Sequence, residues 1–408
     1  MTFLLLNRRR LLHRLPEWFP EAASELVVLT TPGPLSAVGG DDYRGRVHRL
    51  EVVQEYEAAR MEERIERLCR EHRVEAILHT AEIDIQRSAR VAEKLGLPGQ
   101  DQASAAAYRN KHLMKGYAAA AGVPVAAMAP VDTAVDAVEF ARRNGFPVVL
   151  KRIDGAASAG MGVTADPAEL AALTASWPGG RAPRPMLAES WVEGEIHHVD
   201  GVMHEGRVLI SWPSRYLHTQ WRSKCASANF LSGMLPAEDP LTARLRTAAA
   251  AVVAALPPSA VPLPFHAEFF RTPDDRVVLC EIASRAGGGL IVDAFEHAFG
   301  LNLYAAGLLG QAGRLDAADW PEQPARRYGN GWFMRRRGRL LAIPDSCPLP
   351  TAVSYRRIGV VGHGYQDPET IGDVVAEAVF RMEGPDVVAE LEGYDQWWHA
   401  NVEWGSDA

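Results

Sequence analysis

The segment FHAEFFRTPDDRVVLCEIASRAGGG, residues 265 to 289, places two glutamates in an otherwise apolar hairpin. Thr-Pro-Asp-Asp is a turn sequence, and the Phe, Val, Leu, Cys and Ile residues on either side read as strands. With a loop from Pro273 to Arg276, Thr272 faces Val277 and Glu268 faces Glu281, so both acids stand on one face of the sheet. Carboxylates about 5 Å apart at an effective dielectric near 20 repel by roughly 3 kcal/mol. Two arrangements would relieve that repulsion. In one, the register is shifted or each acid has its own arginine, since Arg271, Arg276 and Arg285 are all close in sequence. In the other, a hard divalent cation sits between the carboxylates, sharing them with phosphate oxygens and water as magnesium does.

Upstream, Lys151 ends the apolar strand FPVVLK, where an unpaired ammonium is costly. It is followed by GAASAGMG, residues 155 to 162, with nothing bulkier than methionine. Gly155, Ser158, Gly160 and Gly162 would let backbone N–H groups approach phosphate oxygens while the lysine supplies charge. The loop has no GK[ST] and leads into a strand rather than a helix. It is therefore neither a Walker loop nor a dinucleotide fingerprint. Other polar candidates are His266, which shares a face with Glu268, and His218, Arg222 and Lys224 in RYLHTQWRSK. His197 and His198 are adjacent on a strand and must point to opposite faces. The triplet from Gly287 through Gly288 to Gly289 would bring backbone amides to an anionic intermediate or make a simple turn.

The elements that hold these residues follow from pattern. TFLLL, ELVVLTT, RVHRLEVV and EAILHT read as buried strands alternating with helices such as EYEAARMEERIERLCREH. That alternation predicts an α/β, doubly wound parallel sheet over residues 1–105. A helix-rich start, the strand with Lys151 and the small-residue loop define a second unit, 106–185, ending in the connector PGGRAPRP. Asp166 is placed to cap the helix that begins at Pro167. A meander, a helix and the acidic hairpin make a third unit, 186–315, and residues 316–408 a small mixed α/β appendage. In that appendage Trp397, Trp398 and Trp404 read as packing residues.

The chain has 408 residues, 47% apolar and 23% charged, with 43 Lys and Arg against 51 Asp and Glu, a formal net charge of −8. That balance argues against nucleic acid as the main partner. The four cysteines form no CxxC pair, which fits a reducing cytosol. MTFLLLNRRR places its apolar run before the arginines, the reverse of a secretory signal. No run approaches bilayer length. A soluble, cytoplasmic protein is expected.

The order Lys111 in RNKHLMK, Lys151 with its small-residue loop, the acid-rich LAESWVEGE, and the Glu268–Glu281 hairpin ending in Arg285 resembles the ATP-grasp superfamily. The hairpin itself is most similar to the L-amino-acid ligase, carnosine synthase-like and natural-product branch. The resemblance covers about residues 1 to 315 and implies an ATP-grasp fold with two subdomains around ATP and Mg2+. It also implies roles. Lys111 and Lys151 contact the nucleotide phosphates and residues 155–162 cover them. Glu189, with the backbone of Trp191 and Val192, holds adenine, and Glu195 the ribose. Glu268 and Glu281 bind magnesium, and Arg285 steadies the acyl phosphate and its adduct. Relatives often carry an asparagine two residues after the second glutamate, completing a second metal site; here that position is Ala283, with Ser284 beside it.

The activity implied is amide formation between small carboxylate and amine substrates of amino-acid type in specialised metabolism. It would release ADP and phosphate; relatives are often homodimers, and the oligomeric state is left open. Two alternatives stay open: acylation of a carrier protein or larger acceptor, and a regulatory ATP-binding module without turnover. His266, His218, Arg222 and Gly288 are the candidates for substrate contact.

Overall fold

The computed structural model describes residues 1–58, 60–155, 160–218, 228–370 and 372–406, the side chains at 41 and 42 excepted. Ser158, Arg222 and Lys224 lie outside the described residues. Strands β1 (Phe3–Asn7), β2 (Leu26–Thr30), β3 (Arg49–Val52) and β4 (Ala76–His79) form a parallel sheet in the order β3-β2-β1-β4. Such a sheet is covered on both faces, so its strands are apolar runs rather than alternations. Phe3 and Leu5 enter one core, and Leu4 and Leu6 another. The second core takes the helices Met61–Glu71 and Asp84–Leu95. The first is shared with the helices Ile291–Phe299 and Leu303–Gln311 from much later in the chain. Apolar burial thus fixes the N-terminal sheet against the part of the chain that carries the acidic hairpin.

A second sheet is antiparallel: β5 (Met128–Thr133), β6 (Val148–Arg152), β7 (Gly162–Thr164) and β8 (Arg181–Ser190), in the order β5-β8-β6-β7. The helices Ala134–Asn144 and Pro167–Ala175 pack on it, each with a side-chain N-cap, Thr133 and Asp166. The connector expected at 178–185 is instead a short turn followed by the first half of β8, with Arg181 opposite Thr133. Its Pro and Arg residues stand where the sheet faces solvent. The passage out of this lobe therefore lies after Ser190, not at 185.

The remaining strands are β9 (Glu195–His204), β10 (Arg207–Tyr216), β11 (Phe230–Met234), β12 (Leu263–Arg271), β13 (Val277–Ala283), β14 (Arg327–Met334), β15 (Gly338–Ala342), β16 (Ala352–Arg357), β17 (Gly364–Tyr365), β18 (Val374–Met382) and β19 (Glu403–Gly405). Eight of them make one sheet in the order β13-β12-β9-β10-β11-β14-β18-β16. This corrects the reading of 316–408 as an appendage. β14, β16 and β18 extend the sheet of the acidic hairpin, and only β17-β15-β19 form a separate small sheet. Local pattern marks a strand but not the sheet it joins. The tryptophans pack as expected: Trp398 is stacked on Phe333 at 4.3 Å, and Trp397 and Trp404 join the same core. Among the described residues no helix is long and apolar enough to cross a membrane.

Candidate active site

The β12–β13 hairpin sets Glu268 directly opposite Glu281. The turn is one residue longer than the sequence suggests: Arg271, not Thr272, faces Val277. Thr272 closes the turn itself, its hydroxyl accepting from the Arg276 N–H at 3.0 Å. A bulge at Cys280 then adds one residue to β13 and restores the pairing of the acids. The nearby arginines serve other groups. Arg271 pairs with Asp275 at 2.8 Å, Arg276 with Asp274 at 2.6 Å and Arg285 with Glu82 at 2.9 Å.

The cation at Glu281 comes from a distant part of the chain. Lys111 opens the helix Lys111–Ala120, where Asn110 caps the N-terminus. Its Nζ lies 3.1 Å from Glu281 Oε2 and donates to the Gly155 carbonyl at 2.6 Å. Burial pushes the Glu281 carboxyl up, but Lys111, Lys151 and Arg285 outweigh it and hold the group at about 2. Glu281 is thus anionic and faces several positive charges.

Lys151, at the end of β6, lies 2.9 Å from Glu189 Oε2, and Lys115 lies 2.6 Å from Glu189 Oε1. Lys115 is a residue the sequence reading missed. Its signal was spacing, since a residue four positions after Lys111 shares that helix face. Burial moves the Lys115 ammonium down despite Glu189, whereas Lys151 is raised by Glu189, with burial opposing. Replacing Glu189 by Gln leaves two buried ammoniums without their counter-ion. It should destabilise the fold by about 3 kcal/mol, limited by Lys115 giving up its proton. A urea titration checks this. An unchanged midpoint would show that the three side chains do not act as a unit.

Glu82, also missed, follows β4 at the carboxyl end of the parallel sheet, where open α/β sheets bind ligands. It accepts from Arg285 through Nε and Nη2 at 3.1 and 2.9 Å, and pairs with Arg109. Arg109 also donates to the Asp154 carbonyl at 2.6 Å. Burial raises the Glu82 carboxyl, but Arg285 and Arg109 win and the net shift is downward. Residues far apart along the chain therefore meet at one cluster of Glu82, Arg109, Lys111, Glu281 and Arg285.

Other expected residues are placed as follows. Trp191 and Val192 lie in the link from β8 to β9, and the Trp191 N–H donates to the Pro147 carbonyl at 3.1 Å. The Glu189 carboxylate points to the two lysines rather than along that link. Glu195 is paired with Arg215 at 2.8 Å and approaches Arg271 at 4.0 Å. Strand alternation puts those partners on the face opposite Glu268. The structure therefore does not bring Glu195 beside the acid pair. Gly160 has a left-handed φ of 69° and Gly162 begins β7, where a Cβ would meet Leu173 at 2.7 Å. Gly288 has open space around its backbone. Ser284 is buried and donates to the Gln100 amide oxygen at 3.1 Å. His218 is the last described residue before 219–227. His197 and His198 do face opposite ways: burial pushes the His197 imidazole down to about 3, while His198 shares the face of Glu268.

Residues 110–179 match the family model described as carbamoyl-phosphate synthase L chain, ATP binding domain. No curated protein matches the chain in sequence. Among solved structures, an L-amino acid ligase from Bacillus licheniformis superposes with a TM-score of 0.73 at 16% identity, covering 100% of this chain and 99% of that one. Carboxyaminoimidazole ribonucleotide synthase from Aspergillus clavatus, complexed with ATP, gives 0.70 at 17% identity over 98% and 97%. The biotin carboxylase domain of a Hydrogenobacter thermophilus 2-oxoglutarate carboxylase, in complex with MgADP, gives 0.68 at 14% over 99% and 90%. The chain has the ATP-grasp fold. The matched segment is the one that carries Lys111, Lys151 and the small-residue loop.

Proposed function

We propose that the protein is an ATP-dependent, ADP-forming ligase that joins a carboxylate to an amine, with amino-acid-like substrates on both sides. The observation that carries this reading is the convergence at β13. Glu281 faces Glu268 and is contacted by Lys111, while Arg285 stands at the end of the same strand. Nucleotide binding alone has no need of an arginine there.

Glu268 and Glu281 suit magnesium, since both offer hard carboxylate oxygens on one face. Bound with ATP, the ion would neutralise phosphate charge and remove the repulsion within the hairpin. Lys111 and Lys151 would bind the phosphates, and residues 155–162 would cover them. Arg285, held by Glu82, would stabilise the charge that develops as a substrate carboxylate takes up the γ-phosphoryl group. The amine then displaces phosphate from the acyl phosphate, giving an amide, ADP and phosphate. Positioning and electrostatics supply the rate, with no covalent protein nucleophile. The overlay on an L-amino acid ligase over nearly the full length of both chains supports the peptide-forming version.

The test is a panel of amino-acid pairs incubated with Mg-ATP and analysed by mass spectrometry. A condensed product, with ADP formed only when both acid and amine are present, is the expected result. AMP formation, or nucleotide binding without release of ADP for any acid, would overturn the reading.

A further inference from the structure

Glu268 is one end of a chain of buried polar groups. From the other end, Ser232 Oγ lies 2.6 Å from His198 Nε2, and His198 Nδ1 lies 2.5 Å from Asp200 Oδ2. The second Asp200 oxygen, Oδ1, lies 2.9 Å from His266 Nδ1, and His266 Nε2 lies 3.4 Å from Glu268 Oε1. The chain crosses β11, β9 and β12, and its five members are exposed by only 2, 1, 2, 6 and 3%. Tyr216 adds a branch: its ring lies 4.4 Å from that of His198, and its hydroxyl donates to Glu268 Oε1 at 3.4 Å.

We propose that Ser232, His198, Asp200 and His266 form a positioning device that aims the Glu268 carboxylate and so sets the affinity of the acid pair for a divalent cation. Apolar residues of similar volume would usually hold a strand face at least as well as a buried ionic network, so fold stability alone does not account for four polar residues here. Asp200 spends one oxygen on each imidazole, fixing both rings and turning both Nε2 atoms outward. Only one of those atoms reaches the acidic hairpin. Both contacts to Glu268 Oε1 are at the outer limit of hydrogen bonding. Together they orient the carboxylate. The chain also touches the glycine turn, since a Cβ at Gly287 would stand 2.7 Å from Asp200 Oδ1. Groups behind a metal ligand typically contribute 10- to 100-fold in affinity.

The inference rests on the metal role given above to Glu268 and Glu281. The probe is Mn2+ titrated by electron paramagnetic resonance into the full-length protein with ADP present. Asp200→Asn and His266→Gln should each weaken Mn2+ binding by about tenfold or more, and Ser232→Ala, four links from Glu268, by a smaller factor. ADP affinity in EDTA should stay as in the wild type, which a general loss of structure would not allow. If the variants bind Mn2+ like the wild type, or lose ADP and Mn2+ together, the positioning role is wrong while the metal site stands. If the wild type binds no Mn2+, or Glu281→Gln binds it equally well, the metal reading itself fails. Should Asp200→Asn not fold, His266→Gln and Ser232→Ala decide the matter.

Discussion

Glu281→Gln should lower turnover by at least about a hundredfold, the scale seen when one preorganised electrostatic group is lost from a transfer site, while leaving the fold intact. The exchange keeps the shape of the side chain and removes its charge. Lys111 retains the Gly155 carbonyl at 2.6 Å, so the ammonium is not abandoned. Loss of repulsion toward Glu268, directly opposite, offsets part of the lost ion pair. Steady-state rates across a magnesium titration, with a melting curve alongside, check this. Magnesium saturation should move to higher concentration and the melting temperature should change little. Unchanged turnover would remove Glu281 from the metal site.

On the function proposed above, Arg285→Ala should slow amide formation by about a hundred- to a thousandfold and change ATP affinity by no more than about threefold, because the guanidinium would act on charge that exists only during transfer. Single-turnover rates and a nucleotide titration separate the two effects. Its anchor makes the prediction sharper. Glu82 holds Arg285 through two hydrogen bonds, so Glu82→Gln should give a smaller loss of the same kind. The double variant should be no slower than Arg285→Ala alone, since residues acting through one another are not additive. A collapse of ATP affinity with the rate preserved would place Arg285 on the nucleotide instead.

Much of the architecture was legible because its signals are local. The N-terminal strands are apolar runs between amphipathic helices, and β1 to β4 form where the pattern put them. The Glu268–Glu281 pairing was also readable, although two departures cancel to produce it: a turn one residue longer, closed by Thr272, and a bulge at Cys280. What escaped was set by contacts between distant parts of the chain. Glu82 and Arg285 are 203 positions apart, and neither has a local motif that points to the other. Lys115 looked like an ordinary helical lysine until burial placed it against Glu189. Glu195 was assigned by order along the chain; strand alternation and its two arginines set it on the face away from Glu268.

The merging of β14, β16 and β18 into the same ladder as β12 and β13 bears on how the molecule can be dissected. Cutting the chain near residue 316 would strip β11 of its neighbour β14 and leave a row of unsatisfied amides and carbonyls in mid-sheet. A catalytic core trimmed to the first three quarters of the polypeptide would therefore be an aggregation-prone fragment rather than a minimal enzyme.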